Sequence, residues 1–274
     1  MCDLDGCGDH NNLPDIIINP DQRRLFLKGL VSLPLASVLA YPELSHAAAA
    51  RLQNVSLNLK DGSQVNAALA LPMADKAPAV LLIHEWWGLN DQIKSVSAEL
   101  AQQGYIALAV DLYDGKVARD AKTARSLMQQ VNPDKATQTL VAWINYLKKH
   151  PKSNGKVATM GWCFGGGWSL NASLAAPVDA TVIYYGNVAK SAHELASLKG
   201  PVLGHFATQD NWINKEMVQK FETEMEKAGK KEQLETYWYD ANHAFANPTG
   251  ARYDAEDAAR AWQRTQDFLK KNLS

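Results

Sequence analysis

The runs AVLLIH (79–84), YIALAV (105–110), KVATMG (156–161), ATVIYYG (180–186) and PVLGHF (201–206) constrain this chain most, because several of them are apolar on both faces. A strand with one wet face alternates apolar and polar residues. Continuous apolarity belongs to strands of a parallel sheet covered by helices on both sides. Amphipathic stretches lie between and after the runs, at 91–103, at roughly 119–149 with a break near Pro133, and at 165–175, 214–228 and 254–272. NVSLNL (54–59) and QVNAALAL (64–71) flank Asp61-Gly62 and predict an antiparallel hairpin, while LETYWYD (234–240) supplies a last strand. The order predicts an α/β fold: a mostly parallel sheet of about eight strands with helices on both faces, in one domain over 51–274. The connection 111–133 is the longest candidate for a loop or cap over the sheet.

The chain has 274 residues, 46% of them apolar and 21% charged, with a formal net charge of −1. Lys and Arg are scattered rather than gathered into a stripe, which argues against a nucleic-acid partner. The first fifty residues differ in kind. DQRRLFLKG (21–29), the weakly apolar LVSLPLASVLAYP (30–42) and HAAAA (46–50) have the order of an export signal. Arg23-Arg24 followed by Leu25, Phe26, Leu27 and Lys28 resembles a twin-arginine signal. Cleavage is expected near Ala48–Ala50, giving a periplasmic or otherwise exported protein. The apolar segment is shorter than the roughly 20 residues a resident membrane helix needs, so no stable span is expected after processing. Cys2 and Cys7 fall in this segment, which leaves Cys163 alone in the domain and no intramolecular disulfide there.

Cys163 lies in TMGWCFGGGWS (159–169), between a predicted strand and a predicted helix. A sharp strand-to-helix turn strains its apex residue and crowds the positions two before and two after it, here Gly161 and Gly165. This is the pattern of a nucleophile elbow with cysteine in place of serine. The following helix N-terminus would favour negative charge at the apex. The pattern alone also fits a packed core thiol. Asp210 in ATQDNWI and His243 in DANHAFAN each follow a predicted strand, in the order nucleophile, acid, histidine. In those roles His243 would move the thiol proton and Asp210 would orient the imidazole. Asp111 also ends a strand but precedes the elbow. The N–H groups of Phe164 and Trp86 are candidates for an oxyanion hole. Glu85, in HEWWGLN (84–90), would oppose charge developing there unless it takes part in proton transfer.

H-E-x-x-G, D-L-Y (111–113), S-N-G-K-V (153–157), G-x-C-x-G-G, Y-Y-G (184–186), Q-D (209–210) and N-H-A-F (242–245) together resemble the dienelactone hydrolase family across nearly all of 51–274. The resemblance implies an α/β-hydrolase fold, a Cys-His-Asp triad, no metal or organic cofactor, and opening of an enol-lactone ring. It gives Cys163 as nucleophile, His243 as base, Asp210 as orienting acid and Glu85 as a carboxylate that helps deprotonate the thiol when substrate binds. Tyr184, Trp86 and Trp212 match pocket positions. Asn247 stands where the family enzyme has an arginine for the substrate carboxylate. Arg119 and Arg125 lie in the region that supplies a second, neither at the matching position. Loss of that arginine is expected to weaken binding of the dienelactone carboxylate, and the expected activity is carboxymethylenebutenolidase-like hydrolysis of a small ester or lactone. Trp87, Trp162 and Trp168 also fall in or beside the site, whereas Trp143, Trp238 and Trp262 read as core. The expected protein is a monomeric, cysteine-dependent hydrolase working through an acyl-thioester. A general carboxylesterase or thioesterase and a non-catalytic ligand-binding module are the alternatives.

Overall fold

A computed structural model describes residues 18–29, 31 and 33–274, so Cys2 and Cys7 lie outside the described residues. The hairpin is β1 (Gln53–Asn58) and β2 (Gln64–Ala70), paired antiparallel. Then follow β3 (Ala77–Ile83), β4 (Ile106–Val110), β5 (Ser153–Trp162), β6 (Ala180–Tyr184), β7 (Val202–Ala207) and β8 (Leu234–Tyr239). They form one eight-stranded sheet in the order β1-β2-β4-β3-β5-β6-β7-β8, parallel from β4 onward. The sheet and its hairpin are as the apolar runs require.

Alternation along each strand decides what covers it. Val80 and Leu82 of β3 face α4 (Asp91–Gln102) and the terminal helix, α10 (Ala255–Leu273). Leu81 and Ile83 face the opposite layer with α6 (Pro133–Lys149), where Trp143 is wholly buried. That layer continues through α7 (Phe164–Ala175), the short α8 (Ala192–Leu195) and α9 (Lys215–Lys227). Every side chain of β4 is buried, and each fully buried Leu, Val or Ile there contributes about 2 kcal/mol. The connection 111–133 carries α5 (Ala121–Gln130), which is capped by Asp120. The expected break near Pro133 follows from chemistry: Asn132 Oδ1 accepts the N–H groups of Asp134 and Lys135, and Pro133 opens α6 where its missing N–H costs nothing.

The segment read as an export signal forms α1 (Pro20–Leu27), α2 (Leu35–Ala40) and α3 (Pro42–Ala49), which pack on one another and on α4. Phe26 and Leu44 are buried, Arg51 lies 4.9 Å over the Phe26 ring, Ser45 Oγ is 3.0 Å from Ser95 Oγ, and Arg23 pairs with Glu43. Sequence periodicity did not anticipate this docking. Among the described residues no helix is long and apolar enough to cross a membrane.

In register, Ile83 sits beside Val110 on one side and Gly161 on the other, Gly161 beside Ile183, and Ala207 beside Tyr239. The carboxyl ends of β3 to β8 thus share one edge of the sheet, and the loops that leave it carry the candidate residues. The start of α7 is pressed against this edge. A Cβ on Gly165 would lie 2.2 Å from the carbonyl oxygen of Ile83 and 2.5 Å from that of His84, and one on Gly161 would lie 2.1 Å from the Gly165 carbonyl. A Cβ on Gly167 would meet nothing nearer than 3.3 Å. Gly165→Ala is expected to lower unfolding free energy by about 3 kcal/mol, and Gly167→Ala to stay within about 1 kcal/mol of the wild type, as urea denaturation of the two variants would measure.

Candidate active site

Cys163 joins β5 to α7 with φ 54° and ψ −117°, a conformation that non-glycine residues rarely adopt. Its N–H donates to the Tyr184 carbonyl at 3.0 Å, and its own carbonyl accepts from Gly166 N–H at 3.0 Å. Those bonds fix the apex while the first N–H groups of α7 surround it. The side chain is half-buried. Gly165 lies against Ile83 and His84, so the elbow abuts the segment leading to Trp86, and the N–H-bearing residues Phe164 and Trp86 come from adjoining backbones.

His243 follows β8 and Asp210 follows β7, and both are buried. His243 Nδ1 donates to Asp210 Oδ2 at 2.6 Å. Asp210 Oδ1 accepts from the N–H groups of Trp212 and Ile213 at 2.8 and 3.0 Å, which holds the carboxylate in one orientation. Burial pulls the His243 value down, but the Cys163 and Asp210 charges and hydrogen bonds outweigh it and raise the imidazole to about 10. For Asp210 burial acts upward, and the hydrogen bond and charge of His243 with the two backbone donors overcome it, so the carboxyl lies below its ordinary value. The structure therefore brings Cys163, His243 and Asp210 together in the order the sequence suggested.

Glu85 is buried, and its Oε2 accepts from Asn247 Nδ2 at 2.7 Å. Tyr185 donates its hydroxyl to Glu85 Oε1 at 3.4 Å. Burial and the neighbouring Glu85 and Cys163 charges push the Tyr185 phenol well above its usual value, so it remains a donor. The carboxylate thus rests between two neutral donors. Both belong to loops beyond strand ends, one after β6 and one after β8.

A cavity of about 540 Å³ opens over Cys163 and His243, walled by Trp86, Phe164, Trp168, Tyr185 and Trp212, with Arg125 and Met128 reaching in from α5. Trp212 stands edge-on to the His243 ring, with centroids 5.3 Å apart. Trp86, Phe164 and Trp212, named from the sequence, all line this cavity. Tyr184 does not. Its hydroxyl is 2.7 Å from Thr265 Oγ1 and its ring packs on Trp162 and His205, on the α10 side of the sheet. Strand alternation puts Tyr184 with Val182 on that face, and the next residue leaves the strand at φ 35° and enters the site. Trp162, likewise expected beside the site, stays on the α10 face with Tyr184. Asn247, expected at a substrate-binding position, is buried with its amide on Glu85 and is not among the residues lining the cavity. Asp111 accepts from the N–H groups of Tyr113 and Gly115 and shapes its own turn. Tyr185 is the residue that sequence reasoning missed. The Tyr-Tyr pair at a strand end was the available signal, because alternation lets only one of two neighbours face α10. Among the described residues no group of three or more His, Cys, Asp or Glu side chains could hold a metal ion.

The sheet order and the elbow define the α/β-hydrolase class. Residues 65–273 match the dienelactone hydrolase family. Carboxymethylenebutenolidase of Pseudomonas putida is 30% identical over 228 residues, covering 79% of this chain and 95% of that protein. Carboxymethylenebutenolidase 1 of Cupriavidus pinatubonensis is 26% identical, covering 78% and 95%. The crystal structure of a dienelactone hydrolase-like promiscuous phosphotriesterase from metagenomic libraries shares the fold, with a TM-score of 0.72 at 24% identity, over 81% of this chain and 99% of that one. The chain belongs to the dienelactone hydrolase family and is a hydrolase of ester or lactone bonds.

The two shifts set a pH window. A raised histidine value stabilises the fold fully below the ordinary 6.5 and loses that contribution as pH rises toward about 10. A lowered carboxyl value stabilises fully above the ordinary 3.8 and loses it as pH falls further. Asp210→Asn is expected to cost roughly 3 kcal/mol. The wild type's advantage, followed by urea unfolding across pH, should be greatest between 3.8 and 6.5 and shrink on both sides.

Proposed function

We propose that this protein is a cysteine-dependent, carboxymethylenebutenolidase-like hydrolase that opens a small ester or lactone through an acyl-thioester. The observation that carries the reading is the strained Cys163 apex facing an imidazole that is anchored to Asp210 at 2.6 Å. His243 takes the thiol proton, and its raised value lets it keep that proton near neutral pH until the leaving group needs it. The thiolate attacks the substrate carbonyl. The N–H groups of Phe164 and Trp86 receive the negative oxygen that forms. Collapse of this intermediate breaks the carbon–oxygen bond, the imidazolium protonates the departing alkoxide, and the acyl group stays on sulfur. Water, deprotonated by His243, then attacks the thioester and the thiol is restored.

Glu85 has a separate part. Held by Asn247 and Tyr185 it lies away from the developing oxyanion, where its charge would be costly. Substrate that disturbs either donor frees it to accept the thiol proton and pass it to His243, which then carries it to the leaving group. The aromatic walls suit a compact, largely apolar acyl or alcohol portion, which also favours a broader carboxylesterase range on the same scaffold. The paired arginines ahead of a short apolar segment support export to the periplasm by a twin-arginine route.

Hydrolysis of p-nitrophenyl acetate and of dienelactone by the purified protein tests the reading. Cys163→Ala is expected to lower kcat/KM by about a thousandfold or more, and Glu85→Gln by about tenfold. Equal rates in wild type and Cys163→Ala would remove cysteine from the mechanism.

A further inference from the structure

His84 directly follows β3, is wholly buried and has no part in the reaction above. Its Nδ1 lies 2.6 Å from the Glu85 carbonyl oxygen, and its Nε2 lies 3.2 Å from the Leu112 nitrogen. A backbone carbonyl only accepts and a backbone N–H only donates, so the two contacts fix the tautomer: the proton sits on Nδ1, and Nε2 accepts. Burial lowers the imidazole below its ordinary value, against the upward pull of the Glu85 carbonyl and the Asp111 charge, and keeps it neutral. The ring stands edge-on to Tyr113, with centroids 4.6 Å apart, and nearly parallel to Phe164 at 5.9 Å.

The Glu85 carbonyl and the Trp86 N–H belong to one planar peptide unit. In a trans peptide they point in opposite directions, so whatever holds the carbonyl also aims the N–H. Two donors hold it, His84 Nδ1 and the Gly88 N–H at 3.2 Å. The Leu112 N–H, from the loop after β4, keeps the imidazole from turning out of this position. Neither the Trp86 N–H nor the Phe164 N–H donates to another of the described residues, although Trp86 is buried. Buried backbone donors are ordinarily paired. Both residues line the cavity together with Cys163, and two open donors there are what a carbonyl oxygen gaining charge requires.

We propose that His84 is a positioning residue for the oxyanion site: by donating from Nδ1 to the Glu85 carbonyl, it keeps the Trp86 N–H aimed at the oxygen that becomes negative. This rests on the cysteine hydrolase reading above. His84 touches no substrate and moves no proton. It acts through the peptide that it holds, and a ring fixed at both nitrogens has no need to reorganise when the charge appears.

His84→Leu removes both bonds and leaves a side chain of similar bulk. On p-nitrophenyl acetate it is expected to lower kcat about tenfold or more with KM within about twofold of the wild type. Trifluoroacetophenone separates the oxyanion from the thiol. The Cys163 sulfur adds to its carbonyl carbon, the π electron pair moves to oxygen and the thiol proton passes to His243, so its inhibition constant should rise by the same factor as kcat falls. Iodoacetamide makes no oxyanion, because sulfur displaces iodide directly, and its rate of alkylating Cys163 should stay within about twofold of the wild type. His84→Asn, whose amide nitrogen falls near the place of Nδ1, should recover most of both losses. Unchanged kcat in His84→Leu, alkylation slowed as much as hydrolysis, or no recovery in His84→Asn overturns the positioning role. Nitrogen NMR of the wild type needs no variant to fold: the His84 proton is expected on Nδ1 at neutral pH, and trifluoroacetophenone should move the Trp86 amide proton downfield. A proton on Nε2 or an unmoved Trp86 amide overturns the role. Turnover that survives Cys163→Ala sinks the cysteine reading and the inference with it, whereas turnover lost in Cys163→Ala and kept in His84→Leu sinks the inference alone.

Discussion

The close approach of backbones at the start of α7 is the constraint on which the rest of this site depends. Gly161 and Gly165 let the helix begin against the Ile83–His84 carbonyls, and Gly166 and Gly186 let the end of β6 come in from the other side, where a Cβ would lie 2.7 and 2.4 Å from backbone atoms. With three backbones that near, Cys163 has no room for ordinary dihedral angles and stands at φ 54°. The strain is sustained by a buried sheet that cannot shift without opening voids. The same approach sets the Phe164 and Trp86 N–H groups on adjoining segments.

Further positive φ values outside glycine occur at Asp114 after β4, at Tyr185, which donates to Glu85, and at Ala244 beside His243. Strained backbone thus gathers where strands end and functional side chains begin. Cys163 and Tyr185 leave their strands in this way and themselves line the catalytic cavity. Electrostatics completes the arrangement. Asp210 accepts from two backbone donors and His243, and Glu85 accepts from Asn247 and Tyr185. Neither carboxylate is among the residues lining the catalytic cavity.

Much of this was legible in the chain. The sheet, its hairpin and the helices follow from apolar periodicity and from caps such as Asn90, Asp120 and Asn132. Cys163, Asp210 and His243 were legible because each follows closely on a strand, β5 ending at Trp162, β7 at Ala207 and β8 at Tyr239, whose end the pattern marks. The side Tyr184 takes was not legible, because the pattern shows that a Tyr-Tyr pair ends a strand without showing which ring faces α10; Thr265 and His205, far along the chain, hold that ring. The docking of α1 to α3 on α4 was equally hidden, since the segment is short and weakly apolar and its partners lie on another helix.

Local residue types determined the layered α/β fold, the elbow and the order of its reactive side chains, because strand burial and turn strain act over a few residues. Tertiary structure alone decided that Asn247 hydrogen-bonds Glu85 and that Arg125 of α5 reaches the cavity. Both outcomes depend on which loops meet above the sheet edge. That meeting is set by the packing of helices distant in sequence, and no local pattern records it.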